Sequence, residues 1–600
     1  MSVNARTSFC NASLKPALIL LVIVLLFSRV DARIVTVSTA STFKTAVAAL
    51  LPGDTIDVAS GTYDLNTYLN VTTIATADQP ALIRAKARGG VILINKSYFD
   101  FKSAAYVTLE GFDFSSADGT VIKIESSNHI RVTRNTFHLK ESTGTAWIII
   151  QDLYNATAPA SNNNRIDHNL FENKTLAGNM VRIDGFEGTP TLPSQHDVID
   201  HNHFRNVGPR IDNGMETIRV GVSSLSGKSS YTVVEYNLFE DCDGDPEFIS
   251  LKTDEDTIRF NTFRSCQGTL CMRQTSKSVA YGNFFLGNGK AGTGGVRIYK
   301  SDNKVYSNYF SNLTSTIWDA ALTITNGDVD SNNTNQSSHF RPLRPVFAFN
   351  TLVDNLHNIE IGYTNNGSYG KPPLNILIAN NIIVGSKNQF VYYYTTPTAP
   401  TYTGNIFFAK DSATLGIAAA ENQFRAVDPK LVFADSIWRL SAGSPAIGAA
   451  QGVFDYVTID IDGELRGLMK SVGAEEYANS TPVNKPLGHD EVGPGSDLTP
   501  TLIRSSGQTM QESRSLVLGQ NYPNPFNPET VINFQIRTAG FVSLKVFSLL
   551  GEEISTLVSG QKMTGEYSVT FSASHLSSGI YYYVLQQGNS TQTKKMIVLK

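Results

Sequence analysis

Four phrases between residues 213 and 297 each set a cation directly after an apolar residue. They are Asn213-Gly-Met-Glu216-Thr-Ile-Arg219, Asp245-Pro-Glu247-Phe-Ile-Ser-Leu-Lys252, Leu270-Cys-Met-Arg273 and Gly294-Gly-Val-Arg297. Side chains alternate faces along a strand, so Ile218, Leu251, Met272 and Val296 pointing into a core would send Arg219, Lys252, Arg273 and Arg297 outward. Stacked strands lie about 4.8 Å apart, and like charges at that distance repel. A column of four cations is therefore best explained by an anion that binds along it. One such cation alone is ordinary soluble surface; four that recur at roughly one coil of a repeating structure are not.

The same stretch holds the other parts of a reaction. A neutral lysine removes a proton, an arginine serves a leaving oxygen, and Asn213 with Asp245 and Glu247 offers oxygen donors to a hard cation such as Ca²⁺. Glu216 either orients Arg219 or approaches that cation. Strict alternation would turn Glu247 inward with Ile249 and Leu251, but Asp243-Gly-Asp-Pro246 is a turn signal, which places Glu247 at a corner facing the groove with Lys252. This set suits proton abstraction beside a carboxylate, and the matching reaction is β-elimination in a uronic-acid polymer. A hydrolase would need paired carboxylates about 5–9.5 Å apart across the bond, where this groove offers cations.

The elements that position these residues follow a repeat: an alternating apolar strand, an Asn, one residue, then an aromatic or aliphatic residue. It begins at Val132-Thr-Arg-Asn135-Thr-Phe137 and recurs around Asn169, Asn202, Asn237, Asn261, Asn283, Asn308, Asn350, Asn381 and Asn405. Such spacings belong to a solenoid, and strand-rich phrases without helical periodicity make it a right-handed parallel β-helix, all-β in class. Its aromatics would stack inside, and its asparagines would bend the chain and form amide ladders. Cys242 and Cys266, each five residues after a repeat Asn, would stack in adjacent coils, either as a disulfide or as two buried thiols. Ser441–Gly448 and Asp460–Arg466 read as final strands closing the solenoid.

Residues 1–32 read as a signal peptide: Lys15 precedes the apolar run Ala17–Phe27, which is short for a membrane span of roughly 20 residues, and Val30-Asp31-Ala32 suits cleavage. The β-helix then covers 33–478, a polar Pro/Gly/Ser-rich linker 479–515, and a small β-sandwich 516–600. The formal charge of the 600-residue chain is only -4, with no bulk basicity that would point to nucleic acid. A single solenoid argues for a monomer.

Two resemblances follow. Residues 33–478 resemble polysaccharide lyase family 6, the alginate lyase and chondroitinase B family, through Asn213–Gly221, Glu247–Thr253 and Gly294–Ile298. The resemblance implies Lys252 as the base at C5, Arg273 as the acid at O4, and Asn213, Asp245 and Glu247 as Ca²⁺ ligands. Arg219, Arg297, Glu216 and Gln274 would meet an anionic polysaccharide, alginate first, with dermatan or chondroitin sulfate and pectate as alternatives. The family usually has Glu where Asp245 stands, and Arg-His-Gly where this chain reads Arg273-Gln-Thr275. Loss of catalysis with retained glycan binding is the competing expectation. The C-terminal segment resembles the sorting domain of the type IX secretion system, through Asn521–Pro528, Leu576–Tyr581 and Lys594–Lys600. That implies the type IX machinery as a partner and release from, or display on, the surface of a Gram-negative bacterium.

Overall fold

The structure, a computed structural model, describes residues 32–600 apart from 118, 154–159, 331–332, 468, 478–481, 497–515 and short gaps between 520 and 600. The signal-peptide stretch 1–31 lies outside the described residues. Two compact units form, dividing at Asp497.

In the first unit every coil adds one strand to each of three parallel sheets. Arg165–Asp167, Leu170–Lys174 and Val181–Ile183 make one such coil, and among the described residues the sheets grow to fourteen, fourteen and twelve strands. We call them first, second and third in the order a coil visits them. This is the parallel β-helix that the repeat predicts. Phe114, Phe137, Phe171, Phe204, Phe239, Phe263, Phe285 and Phe310 stack inside with ring centroids 4.7–4.9 Å apart, one strand spacing per ring. Between the first and second sheets, asparagines 135, 169, 202, 237, 261, 283, 308, 350, 381 and 405 are wholly buried. Each but the last, Asn405, donates Nδ2–H to the next Oδ1 at 2.9–3.1 Å. The ladder is as expected, but the bend itself is made one residue earlier: His168, His201, Tyr236, Phe260 and Ser307 are left-handed, with φ of 51–56°. Stacking of His168, His201, Tyr236 and Phe260 on one another offsets the steric cost of that conformation.

Cys242 and Cys266 are free, buried thiols whose Sγ atoms lie 3.6 and 3.5 Å from the carbonyls of Phe204 and Phe239. The first coil is closed by a helix, Ala40–Ala48, with a Thr39/Thr42 capping box. Its Phe43 packs on Tyr63, Phe99 and Phe112. Ser441–Gly448 and Asp460–Arg466 do not become closing strands. Beyond one Ile459–Leu465 bridge they are irregular, and Ile461 with nearby Ile437 and Ala474 covers Phe284, Leu286 and Tyr309, apolar side chains that the second sheet turns outward.

The expected linker also differs in its described part. Residues 482–496 run along the solenoid: Leu487 N–H donates to Thr262 Oγ1 at 2.8 Å, and Gly493 N–H to the His201 carbonyl at 2.8 Å. Leu487 and Val492 bury Leu238.

The second unit pairs antiparallel sheets of three and four strands, among them Glu529–Ile536, Gly540–Phe547 and Gly579–Gln587. They close over Ile532, Phe534, Leu544, Val546, Tyr583 and Met596, a small β-sandwich.

Candidate active site

The four cations lie on the outer face of the third sheet, but strand register divides them. Arg219 pairs with Ser250, Ser250 with Cys271, and Cys271 with Arg297. Lys252 and Arg273 stand two residues further along their strands, past the pairs Val220–Leu251 and Met272–Ile298. The single column expected from the apolar–cation phrases is therefore two adjacent columns. The reason is that Ile218 and Val296 share one core row, whereas Leu251 and Met272 belong to the next.

Glu247 reaches the groove through a bulge. Register shifts between Glu247 and Ile249, so Phe248 is the extra residue. It turns inward onto Phe263, with ring centroids 4.9 Å apart. One extra residue flips everything before it to the opposite face, which puts Glu247 on the same side as Ser250. Ser250 Oγ donates to Glu247 Oε2 at 2.6 Å. A second irregularity lies where Gly268 and Leu270 pair with Thr293 and Val296. It needs glycine: a Cβ on Gly294 would sit 2.4 Å from the Asp319 carbonyl, and one on Gly295 2.1 Å from that of Ala321.

The charges interlock. Arg297 Nη2 lies 3.1 Å and Arg273 Nε 3.9 Å from Glu247 Oε1. Burial would raise the Glu247 carboxyl, but these two cations and the Ser250 hydroxyl hold it below the usual range. Lys252 Nζ lies 3.9 Å from Glu216 Oε1, while Glu216 Oε2 accepts from Asn179 Nδ2 at 3.0 Å. Asp245 accepts the backbone N–H of Met215 at 3.0 Å and of Glu247 at 2.9 Å. Burial, and then the negative charge of Glu216, push its carboxyl up to about 7. Arg219 pairs with Asp184 at 3.1 Å.

Of the residues singled out from sequence, Lys252, Arg273, Glu247 and Arg297 come together, and Asp245 joins them through Glu216. Asn213 is exposed, two residues before the Met215 amide that Asp245 binds. Three expected substrate contacts are covered: Arg297 is 5%, Glu216 3% and Gln274 2% exposed. Lys300 closes over Gln274, its Nζ 3.3 Å from the Gln274 carbonyl.

The oxygen-rich set fits a hard cation in charge, since crowding holds Asp245 near neutrality until a positive charge offsets Glu216. It is not a closed cage. Among the described residues, the His/Cys/Asp/Glu groups whose donor atoms all fall within 4.8 Å of one another are His168–Asp200–His201 and His203–Glu240–His489, both away from this groove.

Several groove residues escaped sequence reasoning. Arg273 Nη1 donates to the Ser338 carbonyl at 3.0 Å, which brings a segment some 65 residues distant onto the groove. His339 on that segment packs between Tyr299 and Tyr369, with ring centroids 5.3 and 4.7 Å away. Burial, then Arg273 and Arg297, push its imidazole down to about 3, so it is uncharged. Trp318 lies 5.5 Å beneath the Arg297 guanidinium. Only Tyr299 had a signal in sequence, standing two residues after Arg297 and so on the same face.

Comparison with known proteins bears on the fold and the family. The chain is similar in structure to the PL6 family alginate lyase AlyGC at 24% identity and a TM-score of 0.62, over 77% of this chain and 58% of that one. It thus spans little more than half of AlyGC's length. A mannuronic acid specific family 6 lyase from human gut microbiota matches at 25% identity and a TM-score of 0.55, over 66% of this chain and 91% of that one. A PL6 family polysaccharide lyase from Pseudopedobacter saltans matches at 19% and 0.54, over 77% and 99%. No curated protein matches the chain significantly in sequence. The profile for chondroitinase B matches residues 37–427, and that for the secretion system C-terminal sorting domain matches residues 520–599. With the first profile spanning more than half of its length, the chain belongs to the chondroitinase B family and carries a secretion sorting domain at its C-terminal end.

Proposed function

We propose that this protein is a secreted polysaccharide lyase that cleaves a uronic-acid polymer, alginate first, by β-elimination. The observation that carries the reading is the placement of Lys252 and Arg273 at one level of adjacent coils, with the Asp245–Glu216 and Glu247 carboxylates beside them. Lys252 Nζ takes the proton from C5 of the sugar. The electron pair released forms the C4–C5 double bond, the C4–O4 bond breaks, and Arg273 gives a proton to the departing O4. A calcium ion held by Asn213, Asp245 and Glu247 would supply positive charge against the uronate carboxylate and make the adjacent C–H more acidic. Arg219 receives a neighbouring carboxylate along the groove, while Glu247 offsets the mutual repulsion of Arg273 and the buried Arg297 by lying beside both.

Alginate is supported by the solved relatives named for it; dermatan or chondroitin sulfate and pectate are the alternative polymers. The sorting domain supports export by the type IX machinery to the surface or surroundings of a Gram-negative cell. A non-catalytic glycan binder is the second reading, favoured by the engagement of Arg273 with the Ser338 carbonyl and by the buried Gln274.

The test follows the ultraviolet absorbance of the new C4–C5 double bond, which is conjugated to the carboxylate. The enzyme is incubated with alginate, dermatan sulfate and pectate, with calcium or with a chelator. A rise on alginate that chelator abolishes, and that Lys252→Ala loses, is the expected result. Binding with no rise on any polymer leaves the binder.

A further inference from the structure

Residues 482–496 cross the outer face of the second sheet, running back toward its first coils. Asn484 Nδ2 meets the Gly282 carbonyl, Leu487 meets Thr262, and Gly493 meets the His201 carbonyl. Further on, the Pro494 carbonyl accepts from Arg134 Nη1 at 3.2 Å and the Ser496 carbonyl at 3.1 Å. Most of these are single hydrogen bonds, which water competes for, and the apolar anchorage is limited to Leu487 and Val492. At the middle of this strap stands a group of a different kind.

His203 and Glu240 project from neighbouring strands of the second sheet, and His489 comes down from the strap. His203 Nε2 lies 2.8 Å and His489 Nε2 2.7 Å from the same oxygen, Glu240 Oε2. The two imidazoles lie 4.9 Å apart, tilted by 35°. The other carboxylate oxygen, Oε1, accepts from Arg264 Nη1 at 2.7 Å, while Arg264 Nη2 holds the Leu487 carbonyl of the strap at 2.8 Å. The turn that presents His489 is fixed by Gly488 N–H donating to Glu491 Oε2 at 2.9 Å. Two imidazole nitrogens and one carboxylate oxygen thus converge from two segments separated by 249 residues, and an outer partner holds the carboxylate in place.

The other converging group, His168–Asp200–His201, cannot do the same. It is fully buried, Asp200 gives both oxygens to Arg165 at 2.7 and 2.6 Å, and each histidine spends Nδ1 on the aspartate that precedes it. The strap group differs in having a solvent side: the His489 side chain is 61% exposed, against 6% for His203 and 16% for Glu240.

We infer that His203, Glu240 and His489 form a binding site for a transition-metal dication of the zinc type, and that the ion pins the strap to the solenoid. Zinc takes imidazole nitrogen at about 2.0–2.1 Å and carboxylate oxygen at about 2.0–2.2 Å, with four ligands in a tetrahedron. Donors around such an ion lie about 3.3 Å apart, so the 2.7 and 2.8 Å contacts open by roughly half an ångström. Each Nε2 gives up its hydrogen as the ion enters, and a ring that was neutral takes a proton on Nδ1 in exchange, so both bind as neutral imidazoles. The fourth ligand is water, on the open side that His489 leaves. Arg264 on Oε1 is the outer hydrogen bond that keeps the carboxylate oriented. Two imidazoles select against calcium, which takes oxygen ligands, so this site and the groove do not compete for one ion.

The experiment uses the full chain without a histidine tag, stripped by chelator and dialysed against zinc chloride or calcium chloride. Bound metal is then counted by mass spectrometry. The expected result is that His489→Ala holds one zinc per chain fewer than the parent and that calcium does not replace the missing ion. Its zinc affinity falls by more than the roughly 10–100-fold that loss of an outer-shell partner costs. Cobalt in place of zinc shows tetrahedral visible absorption that the variant lacks, and zinc protects the strap from limited proteolysis in the parent alone. His489 is exposed, so the variant keeps its fold, which circular dichroism checks. Equal zinc in parent and variant, or no zinc retained by the parent, would overturn the site and leave a hydrogen-bonded triad.

Discussion

The same coils present two very different surfaces, the asparagine bend and the outer face of the third sheet. At the bend each coil repeats the last: one buried Asn, one left-handed residue before it, and one amide bond of 2.9–3.1 Å to the next rung. On the third sheet the register shifts twice within three strands, at Glu247/Ile249 and at Gly268/Leu270. Here cations and carboxylates replace identical side chains. Repetition is what a solenoid needs in order to stack, because each coil is stabilised only by its neighbours. Chemistry needs unlike groups at one place, and the bulges supply them without disturbing the bend on the far side of the coil.

Two substitutions within ten residues of each other separate these demands. Lys252→Ala is expected to lower the elimination rate by about 10²–10⁴-fold, the usual worth of general acid–base catalysis. It should leave the unfolding midpoint almost unchanged, because Lys252 is on the outer face and bears no core contact. Asn261→Ala is expected to do the reverse. Asn261 Oδ1 accepts from Asn237, and its Nδ2 donates to the carbonyls of Val234 and Arg259 and to Asn283 Oδ1. Each buried partner left unpaired costs about 1–3 kcal/mol, so a loss of about 3 kcal/mol or more should appear in denaturant titrations, with the rate of the remaining folded enzyme preserved. If Asn261→Ala cost as much activity as Lys252→Ala, bend and groove would not be separable.

This division also explains what could be read from the sequence. The amide ladder and the phenylalanine stack recur with one residue type at one position, so the β-helix and its core were legible. Lys252, Arg273, Glu247 and Arg297 were found as a set because their types are unusual on one face. Their alignment was not, since nothing in the apolar–cation phrases tells that Ile218 and Val296 share one core row while Leu251 and Met272 occupy the next. His339 was hidden for another reason: it enters from an excursion between the strands at 322–324 and 346–348 whose path no periodicity describes. The strap at 482–496 reads as a linker because its Pro, Gly and polar residues conceal the few side chains, Leu487, His489 and Val492, that hold it.

A second, acid-linked prediction concerns another buried polar rung. Asp256 is wholly buried; Ser230 Oγ and Thr253 Oγ1 donate to its carboxylate oxygens, as does the backbone N–H of Thr232. Burial outweighs these bonds and pushes the carboxyl up to about 8 from an ordinary 3.8. Below pH ~4 both folded and unfolded chains hold this proton. Between pH ~4 and ~8 the unfolded chain releases it and the fold does not, so this group's contribution to stability declines as pH rises, by up to about 1.4 kcal/mol per unit. Above the folded value the contribution levels off. Asp256→Asn should flatten that slope, read as the difference between parent and variant denaturation midpoints at pH 5, 6 and 7. An unchanged slope would mean that Asp256 is ionised in the fold.

The smallest effect is expected at His339, where the groove borrows from outside the repeat. Its ring sits between Tyr299 and Tyr369 and faces the cations Arg273 and Arg297. Those charges and burial keep the imidazole neutral above about pH 3, so it can offer one hydrogen bond to a sugar but no charge to a carboxylate. One neutral hydrogen bond contributes about 0.5–1.5 kcal/mol, so His339→Ala should lower kcat/KM by roughly 2- to 10-fold. Because the ring does not titrate in the working range, the same fractional loss is expected at pH 5 and at pH 8. A loss confined to the acid side would show that the imidazole acts as a cation, which two arginines beside it oppose. His339→Gln, which keeps a polar group of similar reach, should recover part of the loss if the hydrogen bond is the contribution, and none if ring packing against the tyrosines is what positions Arg273.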